Sequence, residues 1–323
     1  MKSTAAPGDL GNSVWGTFNQ WKSDVEQVFS AGDLDQAAAI LRNPGATNLY
    51  HGFDSSFVET DSHESDPSHN VIPAIDALAR FAEAIGAIPL DNPEAYSIRD
   101  VVVLKAEDLL EKIERVSGWR FSVPNPFPHE HGIQTSRGVI SYRTSQALYQ
   151  AWRIKQLTRE ISNPRVAEIG AGLGRTAYYA RELGIADYTI VDLPLTSVSQ
   201  AYWLGRVVGQ DAISLCDEAF VDADRRIKII PPQAFLESDR QFDLIINIDS
   251  ITEMDISIAS AYIEKIFECA STFFSINHEA NAFRVTDLLT GRSNLQTCTR
   301  NPCWMRRGYV EEVAQIAPSR FES

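Results

Sequence analysis

The chain has 323 residues, 44% hydrophobic and 22% charged, a globular composition with room for one large domain or two ordinary ones. Its 29 Lys and Arg stand against 43 Asp and Glu, a formal net charge of −14 that repels phosphate backbones and excludes nucleic acid as the expected partner, favouring a neutral or cationic small molecule. The N-terminus MKSTAAPGDLGNSVWG lacks the apolar run of a signal peptide, no segment approaches membrane-spanning length, and Cys216, Cys269, Cys298 and Cys303 lack CxxC spacing, so a cytoplasmic protein with reduced thiols and no membrane partner is expected.

In chain order, residues 13–42 predict a helix that ends at Asn43-Pro44-Gly45. Residues 59–70, rich in Ser, Asp and His, predict an exposed loop. Ile72, Ile75, Leu78, Phe81 and Ile85 fall at helical spacing and predict a helix over 71–88. Another is expected over 98–116, with Lys112 and Arg115 suited to the dipole of its C-terminal part. Residues 117–138 hold Pro124, Pro126 and Pro128, which exclude a helix, and a loop of this length marks a lid or binding loop. A helix over 141–161 follows.

From Arg165 the pattern changes: VAEIG, YTIVD, RIKII, FDLIINID and TFFSIN are apolar runs separated by helical stretches. Runs that apolar suit strands covered on both faces, and the alternation predicts a doubly wound, mostly parallel α/β sheet of Rossmann-like type. The expected division is a helical N-terminal cap over 1–140, with its lid loop at 117–138, and an α/β domain over 141–323. At the end of the chain one clear strand is expected, near Tyr309–Ile316.

The chemistry concentrates where these strands end. Glu168-Ile169-Gly170-Ala171-Gly172-Leu173-Gly174 closes the first strand, and its glycines let the backbone approach a ligand beside a helix N-terminus. Arg175 stands where a dinucleotide site needs a small residue. The ExGxGxG pattern instead suits the methionine carboxylate of S-adenosylmethionine, with Glu168 toward its amino end. Asp192, followed by Leu193, ends the second strand; it either accepts ribose hydroxyls or caps the next helix. Pro231 and Gln233 follow the third strand, where Gln233 either bonds the adenine edge or caps a helix. Asn247, Asp249, Ser250 and Glu253 follow the fourth, and His278 and Glu279 the fifth.

That last cluster reads as a general base with an orienting acid, or as a divalent-metal site through Asp249 and Glu279. Methyl transfer from a sulfonium is an in-line displacement, and a hydroxyl acceptor must lose its proton during attack. His278, Asp249, Glu279 and the loop residue His131 are the candidates for that task. His129, Glu130, Glu253, Arg306 and Arg307 are candidate acceptor contacts; for the two arginines a surface salt bridge is the plainer reading.

Six stretches carry a family resemblance: PNPFPHEHGIQTSRGVISYRTSQALYQAWRI (124–154), AEIGAGLGRTAYYA (167–180), YTIVDLP (188–194), FDLIINIDSITEM (242–254), FFSINHEAN (273–281) and WMRRGYVEEV (304–313). In these the chain resembles the sugar O-methyltransferase family of class I methyltransferases. The resemblance implies S-adenosylmethionine as donor, S-adenosylhomocysteine as product, and a hydroxyl of a sugar or glycoside as acceptor. It departs at His129, where the family loop carries glycine, and the first 110 residues match no family pattern. A natural-product tailoring methyltransferase acting on another oxygen or nitrogen is the alternative. A nicotinamide oxidoreductase and a non-catalytic binding module are more distant ones. A homo-oligomer is left open.

Overall fold

The computed structural model describes residues 16, 20–54, 68–90, 105–215 and 225–317. The expected 13–42 helix is two: α1 (Ser23–Ala31) and α2 (Leu34–Arg42). Gly32 takes φ 71° and stops α1, and Asp33 caps α2 by accepting the Gln36 N–H at 3.0 Å. Two more helices follow, α3 (Ser68–Ala84) and α4 (Ala106–Ser117). Most of the expected 59–70 loop and the first part of the expected 98–116 helix lie outside the described residues. The 117–138 segment is irregular until a two-strand hairpin, β1 (Ile133–Thr135) with β2 (Gly138–Ile140). Ser141 then caps α5 (Tyr142–Leu157), exchanging hydrogen bonds with Thr144.

The five expected strands and the helices between them form, with β5 and α10 in addition: β3 (Arg165–Ile169), α6 (Arg175–Glu182), β4 (Asp187–Val191), α7 (Pro194–Val208), β5 (Ile213–Leu215), β6 (Ile227–Ile230), α8 (Pro232–Glu237), β7 (Phe242–Ile248), α9 (Ile256–Cys269), β8 (Ala270–His278) and α10 (Val285–Leu289). The chain end corrects the single expected strand to a hairpin, β9 (Leu295–Pro302) with β10 (Tyr309–Ile316). β9 escaped notice because it is an exposed edge strand with a largely polar sequence.

Strand order is β5-β6-β4-β3-β7-β8-β10-β9, with every pair parallel except the two that β10 makes with β8 and β9, so that β10 alone runs opposite to the rest. This is a Rossmann-like sheet, as expected. Its direction of growth reverses between β3 and β7, where such sheets open a crevice beyond their carboxyl ends. Neighbouring residues of one strand feed opposite cores: Leu244 and Ile246 pack with α5, α6 and α7, whereas Ile245 packs with α8 and α9. The first of these cores also contains Tyr50, Leu78, Ile113 and Phe121, so the N-terminal helices share their interior with the sheet. Among the described residues no helix is long and apolar enough to cross a membrane.

Two polar ties fix the elements around the crevice. Glu311 of β10 accepts from Tyr149 Oη at 2.5 Å and from both Nε and Nη2 of Arg153, at 3.0 and 2.7 Å, locking α5 to the sheet. Arg175, first residue of α6, lies 9% exposed between two carboxylates that are each 2% exposed. It pairs with Asp54, from the N-terminal part, and with Glu130 of the proline-rich loop at 2.9 Å. Removing one partner of a buried ion pair leaves an uncompensated charge. Arg175→Met strands two, and is expected to lower the unfolding free energy by about 3–5 kcal/mol in urea denaturation.

Candidate functional site

A cleft opens at the β3–β7 reversal, enclosing about 1230 Å³ with the open solvent at its mouth included. One wall is the glycine loop. Gly170 has φ 74°, and a Cβ there would overlap Ser250 of the loop after β7, so only glycine lets the two loops meet. Gly170, Ala171 and Gly172 line the cleft with Glu168, Asp192, Leu193, Asp249, Ser250 and Glu253. Of the cofactor candidates, Gly174, Pro231, Gln233 and Asn247 do not.

Each of these four has its own occupation. Gly174, at φ 87°, begins α6 and packs near Leu204. Pro231 precedes α8 while Pro232, its first residue, lines the cleft in its place. Gln233 is exposed and bonds Glu237 one turn along α8. Asn247 is fully buried behind the cleft wall: its Nδ2 donates to Ile169 O at 2.9 Å, and its Oδ1 accepts from Ile251 N at 3.1 Å and Asn277 Nδ2 at 2.9 Å. It knits β3, β7 and β8 together below the site.

Asp192 does not cap α7, whose N-cap position is Leu193 and whose first residue is Pro194. Its Oδ2 accepts from Ala171 N at 2.9 Å and Gln200 Nε2 at 2.6 Å, and its Oδ1 from Leu193 N at 2.8 Å. Burial nevertheless raises its pKa to about 6. Lys22, only 2% exposed, has its Nζ 4.8 Å from the Phe53 ring centroid. Burial lowers that ammonium to about 8 while the Asp192 carboxylate pulls it upward. Glu168 accepts from Tyr188 Oη at 2.8 Å, and burial raises its pKa to about 8.

At the other end of the cleft stands Asp249, a non-glycine residue at φ 57°. Aspartate tolerates that region better than most residues, and such strain gathers at functional positions. Its Oδ2 accepts from Arg306 Nη1 at 2.7 Å and Tyr309 Oη at 3.0 Å, whereas its buried Oδ1 has no hydrogen-bond partner. His278 Nε2 lies 3.9 Å from Asp249 Oδ1 and 3.9 Å from Glu253 Oε1. The three residues present donor atoms within 4.8 Å of one another, a set able to hold a divalent cation. His278 Nδ1 accepts the Ala280 N–H at 3.3 Å, so the neutral ring keeps its proton on Nε2, facing the carboxylates.

The remaining candidates lie apart from this cluster. Glu279 pairs with Arg300 at 2.5 Å, which makes Glu253 and not Glu279 the carboxylate grouped with Asp249. Glu130 is held by Arg175 and by Asn125 at 2.7 Å. His131 Nδ1 meets Asn70 Nδ2 at 3.2 Å, and His129, at φ 60°, is exposed. Arg307 is exposed, while Arg306 is turned inward onto Asp249. The cleft also recruits residues the motifs did not indicate: Gly52, Phe53 and Asp54, and from α5 Arg143, Gln146 and Gln150. Only the α5 residues stood in a stretch that carried the family resemblance.

No family model matches the chain, and no curated protein does. Among solved structures it is similar to magnesium protoporphyrin IX methyltransferase from Synechocystis PCC 6803 with S-adenosylmethionine bound, at 11% identity over 53% of this chain and 83% of that one, with a TM-score of 0.35. It is similar also to the glycopeptide N-methyltransferase MtfA in complex with S-adenosylhomocysteine, at 15% identity, 52% and 90% coverage and a TM-score of 0.38. The pyocyanin biosynthetic protein PhzM gives 13% identity, 55% and 57% coverage and 0.40. At such identities and scores none of them bears on what this cleft holds.

The raised pKa of Glu168 has a sign that can be checked. The folded state holds its proton up to about pH 8 whereas the unfolded chain releases it near 4.5. The stability it contributes is therefore complete below about pH 4.5 and is lost as pH rises through 8. Glu168→Gln is expected to flatten the decline of unfolding free energy between pH 5 and pH 8, measured by urea titration at several pH values.

Proposed function

We propose that the chain is an S-adenosylmethionine-dependent methyltransferase acting on a hydroxyl of a small molecule, with a sugar or glycoside as the leading acceptor. The observation that carries the reading is the joining of two strand ends in one cleft. The glycine loop after β3 and Asp192 after β4 meet through the Ala171 N–H, and Glu168 lies beside them. The fit rests on Gly170, where any Cβ would fill the cradle, and on a donor set with one carboxylate at each end of the loop. Asp192 would hold the ribose hydroxyls, Glu168 the amino end, and Leu193 and Pro232 the adenine side. When bound, the group supplies an activated methyl on a sulfonium.

The chain's own contribution is alignment and proton removal. His278 is the proposed base, and the Asp249 and Glu253 carboxylates, each 3.9 Å from its Nε2, would stabilise the imidazolium that forms. Acting at Nε2 requires the tautomer with its proton on Nδ1, at the expense of the one long hydrogen bond from Ala280. Arg306 and Tyr309 hold Asp249 in place from the far side. A divalent cation held by Asp249, Glu253 and His278 would serve the same end by lowering the acceptor hydroxyl pKa. Residues 1–140 act in this reading as a cap over the cleft, to which Gly52, Phe53 and Asp54 contribute. The sugar assignment rests on the sequence resemblance, and a natural-product hydroxyl or nitrogen fits the same cleft. The charge of −14 favours a small-molecule acceptor over nucleic acid.

Titration calorimetry with S-adenosylhomocysteine, NADH and NADPH tests the cofactor. Micromolar binding of the first alone is expected, and binding of a nicotinamide instead overturns the reading. Asp192→Ala should weaken S-adenosylhomocysteine at least tenfold, a loss of about 1.4 kcal/mol. Once an acceptor is found among sugars and glycosides, His278→Ala should lower kcat by 10²–10⁴-fold while leaving S-adenosylhomocysteine affinity within twofold. Full activity of that variant would move the base to Asp249 or Glu253.

A further inference from the structure

The cleft contains a cation that the proposed chemistry does not use. Arg143 is the second residue of α5 and lines the cleft along with the glycine loop and Asp249. Arg175 and Arg306 each have a carboxylate in contact: Arg175 has Asp54 and Glu130, and Arg306 has Asp249. Arg143 has no ion pair within 4.0 Å among the described residues. Its Nε is buried without a hydrogen-bond partner, and its contacts are with the neighbouring Tyr142 ring, 5.2 Å away, and the Tyr142 side chain. Burial works against its charge, while Tyr142 and, through space, Asp54 and Asp249 favour it.

A guanidinium offers five N–H donors in a plane, a fork that matches a carboxylate with two parallel hydrogen bonds. Burying such a group with a donor unpaired is unfavourable unless something completes it. The two carboxylates near enough to influence it are already committed. Asp54 is held by Arg175, and Asp249 is held by Arg306 and Tyr309 through the oxygen that has partners. The cleft is also lined by the acids Asp54, Asp192, Asp249 and Glu253, and its other arginine, Arg175, is already paired with Asp54 and Glu130.

We propose that Arg143 is the anion-binding residue of the cleft and pairs with a carboxylate of the bound ligand. Resting on the methyltransferase reading, that carboxylate has two sources: the methionine half of the cofactor, or an acidic acceptor such as a uronic acid. Arg143 lies within the field of both Asp54 and Asp249. Either source delivers the same chemistry to the same fork.

The test compares wild type with Arg143→Gln and Arg143→Lys, using four ligands. S-adenosylhomocysteine carries the methionine carboxylate; 5′-methylthioadenosine lacks it and keeps the adenosine. Glucuronate is compared with glucose. Because no contact ion pair is lost, both variants should melt within about 3 °C of wild type. A tenfold or greater loss of S-adenosylhomocysteine affinity in Arg143→Gln, with 5′-methylthioadenosine unchanged and partial recovery in Arg143→Lys, assigns the carboxylate to the cofactor. Unchanged S-adenosylhomocysteine affinity, with a preference for glucuronate over glucose that Arg143→Gln abolishes, assigns it to the acceptor. Equal behaviour of wild type and Arg143→Gln toward all four ligands overturns the proposal. Failure of wild type to bind S-adenosylhomocysteine overturns the methyltransferase reading separately, and the glucuronate comparison still decides the role of Arg143.

Discussion

The buried guanidinium of Arg175 is the constraint around which this site is organised. It starts the helix that follows the glycine loop, so its position is fixed by the sheet. From there it draws in Asp54 and Glu130, from segments 121 and 45 residues earlier in the chain. Burying three charges is favourable only if each is paired, and that requirement sets where the N-terminal part and the proline-rich loop lie over the cleft. Desolvation pushes the Glu130 carboxyl up, and Arg175 pulls it back. The residue that breaks the dinucleotide glycine pattern is thus the one that assembles the cleft's outer wall.

The α/β half was readable because its strands are covered on both faces, which writes them as apolar runs that no amphipathic helix imitates. The glycine loop, Asp192 and the Asp249–Ser250–Glu253 turn were readable for a related reason: strand ends at the reversal point are where the fold puts ligands. Where spacing alone decided, the reading was weaker. Asn247 and Ser250 are three residues apart in one motif, yet Asn247 faces the interior and Ser250 the cleft, a difference made by the turn between them. Glu253 and Glu279 were equally acidic on paper. Which one joins His278 depended on Arg300 of β9, a strand hidden by its polar, exposed sequence.

The contributions from outside the strand-end motifs were the least legible. Gly52–Asp54 carry no motif, and Arg143 is not a motif residue of the stretch it stands in, yet both line the cleft, while Lys22 is buried within the field of Asp192. Their common feature is burial of a charge or a backbone turn against the sheet's carboxyl edge. Only the assembled fold reveals that, since a lone Lys or Arg in a helix is ordinarily a solvated residue.

The two borders of the sheet bear on how the molecule meets its neighbours. At one side β5 contributes three residues, too short a row of free peptide groups to template another strand. At the other, β9 is exposed along its length, carries Arg300 and closes on Pro302, a residue with no N–H to donate. Long, flat and apolar borders invite strand addition and fibrous aggregation; these are short, charged or interrupted. Among the described residues, neither border of the sheet therefore offers the long apolar edge that strand addition favours.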